Sequence, residues 1–285
     1  QSVYGEFMEA LLPTSFFAQL RGRGVSLTFD GYGKAILPGR AAGGAAGGFV
    51  AEGSPIRVGR ATTTSVELTP RKMGVIVPFS RELAKRSTPA IEEEVRRWIR
   101  EDTSVTLDQT VIDTTASSTA RPAGLLNGVS AVASGAGGGD YEAVIADFKA
   151  LLAPFIAANA ADGVVVLMNP SQGLNLSLIA GADGKLGDWF EPIRQRVTII
   201  ESGNVPAGRL IAVRASDLVT AGGEPEFDIS ETASVHLEDT APLELVSAAG
   251  TVADPIRSFF QTATVGVRML LDVSWGMRRS GMVRW

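Results

Sequence analysis

The chain has 285 residues, 45% of them hydrophobic and 20% charged, a composition that excludes a disordered chain and leaves room for about two cores. The absence of cysteine excludes a disulfide framework and a thiolate metal site, and a single histidine, His236, removes most transition-metal sites and acid–base relays. A net charge of −5 excludes a surface that condenses as a whole onto nucleic acid, and apolar runs such as GVVVLM at 163–168 are far too short to cross a bilayer, so the chain reads as soluble and free of the membrane.

Residues 1 to 24 carry FMEALLPTSFFAQL among Gly and Arg, and Phe16 and Phe17 give this arm something to bury by docking. A start at Gln1 is what processing leaves, and also what a boundary of the given sequence leaves. From Val25 to Ile36 a loose alternation reads as a strand turning at Gly31 to Gly33. Then GRAAGGAAGG, Gly39 to Gly48, has high backbone entropy and almost no side chain to bury. It is a flexible linker, a disordered surface loop, or a loop ordered only against another molecule. The stretch ATTTSVELTPRKMGVIVPFS that follows alternates through Val66, Leu68, Val75 and Val77, which puts the Gly/Ala run at the tip of a long β-hairpin.

A helix over 88–115 has full signals: Thr88 as N-cap, Pro89 in the first turn, and Glu92, Glu93 and Glu94 at the positive end. Glu92 with Arg96 and Glu93 with Arg97 are i,i+4 pairs, and Ile91, Val95, Trp98 and Ile99 open an apolar stripe that continues through Val105 to Ile112. ASSTARPAGLLNG is a turn-rich loop and AVASGAGGGD a glycine hinge. Beyond Asp140 the elements shorten: YEAVIADFKALLAPFI reads as a helix, GVVVLMNP as a buried strand, SQGLNLSLIAG as a helix, and VTIIESGNVPAGRLIAVRAS as two strands joined by a turn at Pro206 to Gly208. That shift marks a domain boundary near residue 135, and the strand-like end of the chain returns to the first domain.

Chemistry is hard to find in this sequence. GAGGGD lacks dinucleotide spacing and has no Walker lysine after it; GADGK lacks the alternating acids of a calcium loop. No G-x-S-x-G elbow presents a partner for His236, which reads as a strand residue. The carboxylates at Glu92 to Glu94 and at Glu238 and Asp239 read as solvated, as does the cluster Arg278, Arg279 and Arg284, and the four tryptophans are too scattered for a stacking platform. No catalytic, cofactor or metal site is expected.

The order of segments is informative where single motifs are not. VELTPRKMGVIVPFSRELAKRS, a long helix, ARPAGLLNG, VVVLMNPSQGLNLSLIAGADGKL and GNVPAGRLIAV together resemble the major capsid proteins of tailed double-stranded-DNA phages, the Hong Kong 97-type fold, over nearly the whole chain. The resemblance implies an α+β phage major capsid fold: an N-terminal arm at 1–27, an extended β-hairpin loop at 28–70, a peripheral domain with the spine helix at 71–134, an axial α/β domain at 135–255, and a return to the peripheral domain at 256–285. It implies a self-assembling shell subunit, in hexamers and pentamers, working with a portal, a scaffold, a maturation protease that trims the N-terminus and a decoration protein. Packaged DNA is touched weakly and non-specifically, and the location is the virion, assembled in the host cytoplasm. It places subunit contacts on the extended loop at Arg40, Gly43, Gly44, Gly47, Gly48, Phe49, Glu52 and Arg57 and on the arm at Phe16 and Phe17. Some family members weld subunits by an isopeptide bond from a loop lysine to an asparagine, assisted by a glutamate. Here no lysine lies between Lys34 and Lys72, no asparagine follows Asn204 and no glutamate follows Glu244, so a non-covalent shell is expected. The alternatives are an encapsulin-like compartment subunit of the same fold and a hydrolase or nucleotide-binding enzyme, which a pocket holding a buried carboxylate pair favours.

Overall fold

The computed structural model describes residues 7–8, 11, 15–29, 33–40, 49–56, 63–86, 91–135, 141–179, 190–237 and 256–285. The chain forms two compact units, one of Gln1–Arg71, Ser104–Gly223 and Asp272–Trp285, the other of Lys72–Thr103 and Glu224–Leu271.

In the first unit, helix α1 (Phe16–Arg21) leads into strand β1 (Val25–Thr28). The alternation from Val25 does not turn back on itself as read: β1 pairs in parallel with the distant β8 (Leu218–Gly222). Four residues give β1 too few ladder bonds for a local hairpin to outweigh a partner strand that is buried at every position. The hairpin that does form joins β2 (Ala35–Arg40) to β3 (Thr63–Leu68), in register from Ala35 opposite Leu68 to Arg40 opposite Thr63. Leu68, Val219 and Ala221 make a small core under this region.

A second sheet of the same unit has the order β13 (Val283–Arg284), β7 (Ile211–Arg214), β5 (Val164–Met168) and β6 (Thr198–Glu201). All five residues of β5 are buried, as expected for an unbroken apolar run at a sheet centre. β6 and β7 are the two strands expected around Pro206 to Gly208, yet they flank β5, parallel and antiparallel, and do not pair with each other. Helices α4 (Tyr141–Ala157) and α5 (Pro170–Leu178) cover the sheet, closing a core of Phe148, Leu151, Phe155, Val166, Met168 and Leu176. Asn169 caps α5 in a capping box with Gln172, with Pro170 in the first turn, so the NPSQ of the sequence is a helix-start signal.

In the second unit, β4 (Arg71–Ser80) lies beside β12 (Thr264–Met277), and β9 (Glu226–Ser230) pairs with β12 from Gly266 to Leu270. Arg268 and Asp228 face each other in that register and form an ion pair. Helix α2 (Arg81–Arg86), the short pair β10 (Ser234–His236) and β11 (Ile256–Ser258), and the one-turn helix α6 (Phe259–Thr262) complete it. His236 is a strand residue opposite Ile256.

The long helix is α3, Ile91–Val111. It stops short of residue 115 because the RPAGLLN loop folds back onto its end: the Leu125 amide donates to the Val111 carbonyl at 2.7 Å, and Leu126 to Asp113 at 3.2 Å. These bonds satisfy carbonyls that would otherwise be orphaned at the helix terminus. Thr88 and Pro89 lie outside the described residues. Arg97 joins Glu94 (i,i+3) at 2.6 Å and Glu101 (i,i+4) at 3.7 Å, not Glu93 as expected; the Glu92 side chain lies outside the described residues, and Arg96 lies 5.5 Å over the Phe227 ring.

Candidate assembly surfaces

The arm is tied down at one point that sequence reasoning missed. Asp108, on α3, is completely buried, and its carboxylate accepts from the Ser15 hydroxyl (2.7 Å), the Phe16 amide (3.0 Å), the Phe17 amide (3.0 Å) and the Asn204 side-chain amide (2.8 Å). Ser15 in turn accepts from the Ala18 amide, so the N-terminus of α1 is capped twice, by its own serine and by a carboxylate from α3. Burial pushes the Asp108 carboxyl above its ordinary range, opposed by these four hydrogen bonds, which favour the charged form. Both oxygens are engaged by structural donors, so Asp108 is an anchor and has little freedom to act as a base.

The anchor seats the arm's aromatics. Phe16 and Phe17 are fully buried within the subunit, and Phe17 meets Trp275 edge-on at 5.5 Å. Trp275 reaches the Ala123 carbonyl through its indole N–H at 2.8 Å, which links the arm to the RPAGLLN loop. On the spine helix Val95 and Ile99 are buried and Ile91 is half-buried, but Trp98 is 46% exposed and Val105 is exposed beside the stripe. A helical period defines a face; Trp98 stands at its edge, half-covered among the described residues.

The loop residues are placed differently. Arg40 ends β2, and Phe49 and Glu52 are exposed. Gly43, Gly44, Gly47, Gly48 and Arg57 lie outside the described residues. Phe49 is fully exposed, and Ile56 is 81% and Ile36 66% exposed. Lys34, at the base of the hairpin, is ion-paired with Glu67.

Among the described residues no cluster of His, Asp or Glu could hold a metal ion, and no helix is long and apolar enough to cross a membrane. Among the described residues two carboxylates are buried: Asp108, the arm anchor, and Asp217, which is ion-paired with Arg214 at 2.8 Å.

Solved structures share the fold. One from Mycobacterium phage Adephagia superposes with a TM-score of 0.67 at 16% identity, covering 95% of this chain and 89% of its own. Another, from Mycobacterium phage Cain, gives 0.65 at 17% identity over 90% and 83%. A structure titled as the capsid of a native GTA particle gives 0.60 at 14% identity over 93% and 88%. No curated protein matches the sequence. The model of the phage capsid family matches residues 6–187, nearly two-thirds of the chain, so this chain, with its anchored N-terminal segment, β2–β3 hairpin and long helix, belongs to the phage capsid family and is a structural subunit of a capsid shell.

Proposed function

We propose that the subunit closes an icosahedral head around double-stranded DNA as hexamers and pentamers, held without covalent welds by overlap of its arm (1–27) and extended loop (28–70) with neighbouring copies. The peripheral domain comprises 71–134 and 256–285 and the axial domain 135–255. The observation that carries this reading is the fully exposed Phe49, with Ile56 exposed seven residues on, between strands β2 and β3: apolar surface of this kind is stable in water when another molecule covers it. The loop contacts are Arg40, Gly43, Gly44, Gly47, Gly48, Phe49, Glu52 and Arg57. A portal, a scaffold, a maturation protease and a decoration protein act with it in the host cytoplasm. The net charge of −5 suits a wall that holds packaged DNA only weakly.

Negative-stain microscopy with sedimentation, across salt and protein concentration, tests this. Closed shells or rings of five and six that boil to a single band in denaturant are expected. A strictly monomeric species, or a covalent ladder after boiling, refutes it.

A further inference from the structure

The second unit contains an open cleft of about 210 Å³, lined on its apolar side by Pro78, Phe79, Leu237 and Phe259 and on its polar side by Ser80, Arg257, Thr262 and Thr264. Its surroundings are short of cover: Leu237 is 38% and Phe260, next to Phe259, 80% exposed. Among the described residues Arg257 has no acidic partner, whereas Arg81 is already paired with Glu231.

The complementary feature is elsewhere on the same chain. Phe49 is an aromatic ring with no cover, and Glu52, three residues on, is exposed and has no basic partner among the described residues. A knob and a hole on different parts of one molecule make a heterologous contact, which propagates from copy to copy and gives a ring where its rotation closes.

We propose that the segment Phe49 to Ile56 docks on a second copy of this chain, with the Phe49 ring in the Pro78–Phe79–Leu237–Phe259 cleft and Glu52 paired with Arg257. This rests on the shell reading above and names the surface that receives the loop. The apolar ring supplies the buried anchor and the charge pair sets the register, because a like charge opposite Arg257 repels.

The chain has no cysteine, so an engineered disulfide reports this contact without background. Particles of the Phe49→Cys, Leu237→Cys double variant, oxidised and run without reductant, should give a ladder of multiples that reductant collapses and that neither single variant gives. Separately, Glu52→Arg and Arg257→Glu should each lower particle yield on the order of tenfold, and their combination should restore it. Particles that form without a cross-link and tolerate both charge reversals overturn the docking while leaving the shell intact. A cross-link confined within one chain overturns it as well. A wild type that never assembles takes down the shell reading, and the docking with it.

Discussion

Replacing Asp108 by Ala tests whether the arm is held by a single carboxylate. The substitution leaves two backbone amides at the start of α1, Phe16 and Phe17, without an acceptor, and also releases Asn204. An unsatisfied buried donor costs about 1–3 kcal/mol, and loss of a helix cap about 1 kcal/mol. Against this, removing a buried charge recovers several kcal/mol of desolvation, so the sum does not scale with the number of bonds. We expect a net loss of about 3 kcal/mol in arm docking, or roughly 100-fold more of the undocked arm at about 1.4 kcal/mol per decade. Hydrogen exchange reads this directly: the amides of Phe16, Phe17 and Ala18 should lose about two decades of protection, while those of β5 keep theirs. Asp108→Asn, which keeps the volume and one acceptor oxygen, should recover part of it. Unchanged protection at Phe16 and Phe17 in the Ala variant refutes the anchor; an equal loss in β5 shows that the residue supports the whole unit and not the arm in particular.

The same residue has a pH signature. Because burial raises the Asp108 carboxyl, the folded state favours the protonated form more than the unfolded state does. The stabilisation from that proton is complete below the unfolded value of about 3.9 and is lost as pH rises through the higher folded value. Urea midpoints of wild type minus Asp108→Asn should therefore rise as pH falls from 7 through that window; a flat or opposite difference contradicts the burial-dominated balance. Gly124→Ala tests the helix stop. A methyl there falls 2.0 Å from the Asp113 carbonyl oxygen, part of the backbone, so the loop must shift and the Leu125 and Leu126 bonds to the end of α3 weaken. A drop of about 3 kcal/mol is expected by denaturant titration, in the range of other core overpacking; a change under about 0.5 kcal/mol, the size of an ordinary surface substitution, refutes it.

Much of the architecture is local and therefore legible in the sequence. Period-2 alternation and a side-chain-poor run fix a hairpin from β2 to β3. Five apolar residues in a row fix β5 as a central strand, and the helix read from Ser171 forms as α5, which begins one residue earlier, at Pro170. The order of these pieces was enough to indicate a capsid subunit. The arm anchor was not legible, because nothing next to Asp108 distinguishes it from the solvated acids of the same helix. Its partners Ser15 and Asn204 lie 93 and 96 residues away, and only tertiary packing removes the water that would otherwise solvate the charge. The same reason hid the parallel pairing of β1 with β8 and the exposed edge of Trp98: periodicity states which residues share a face, and the folded chain alone decides what covers it.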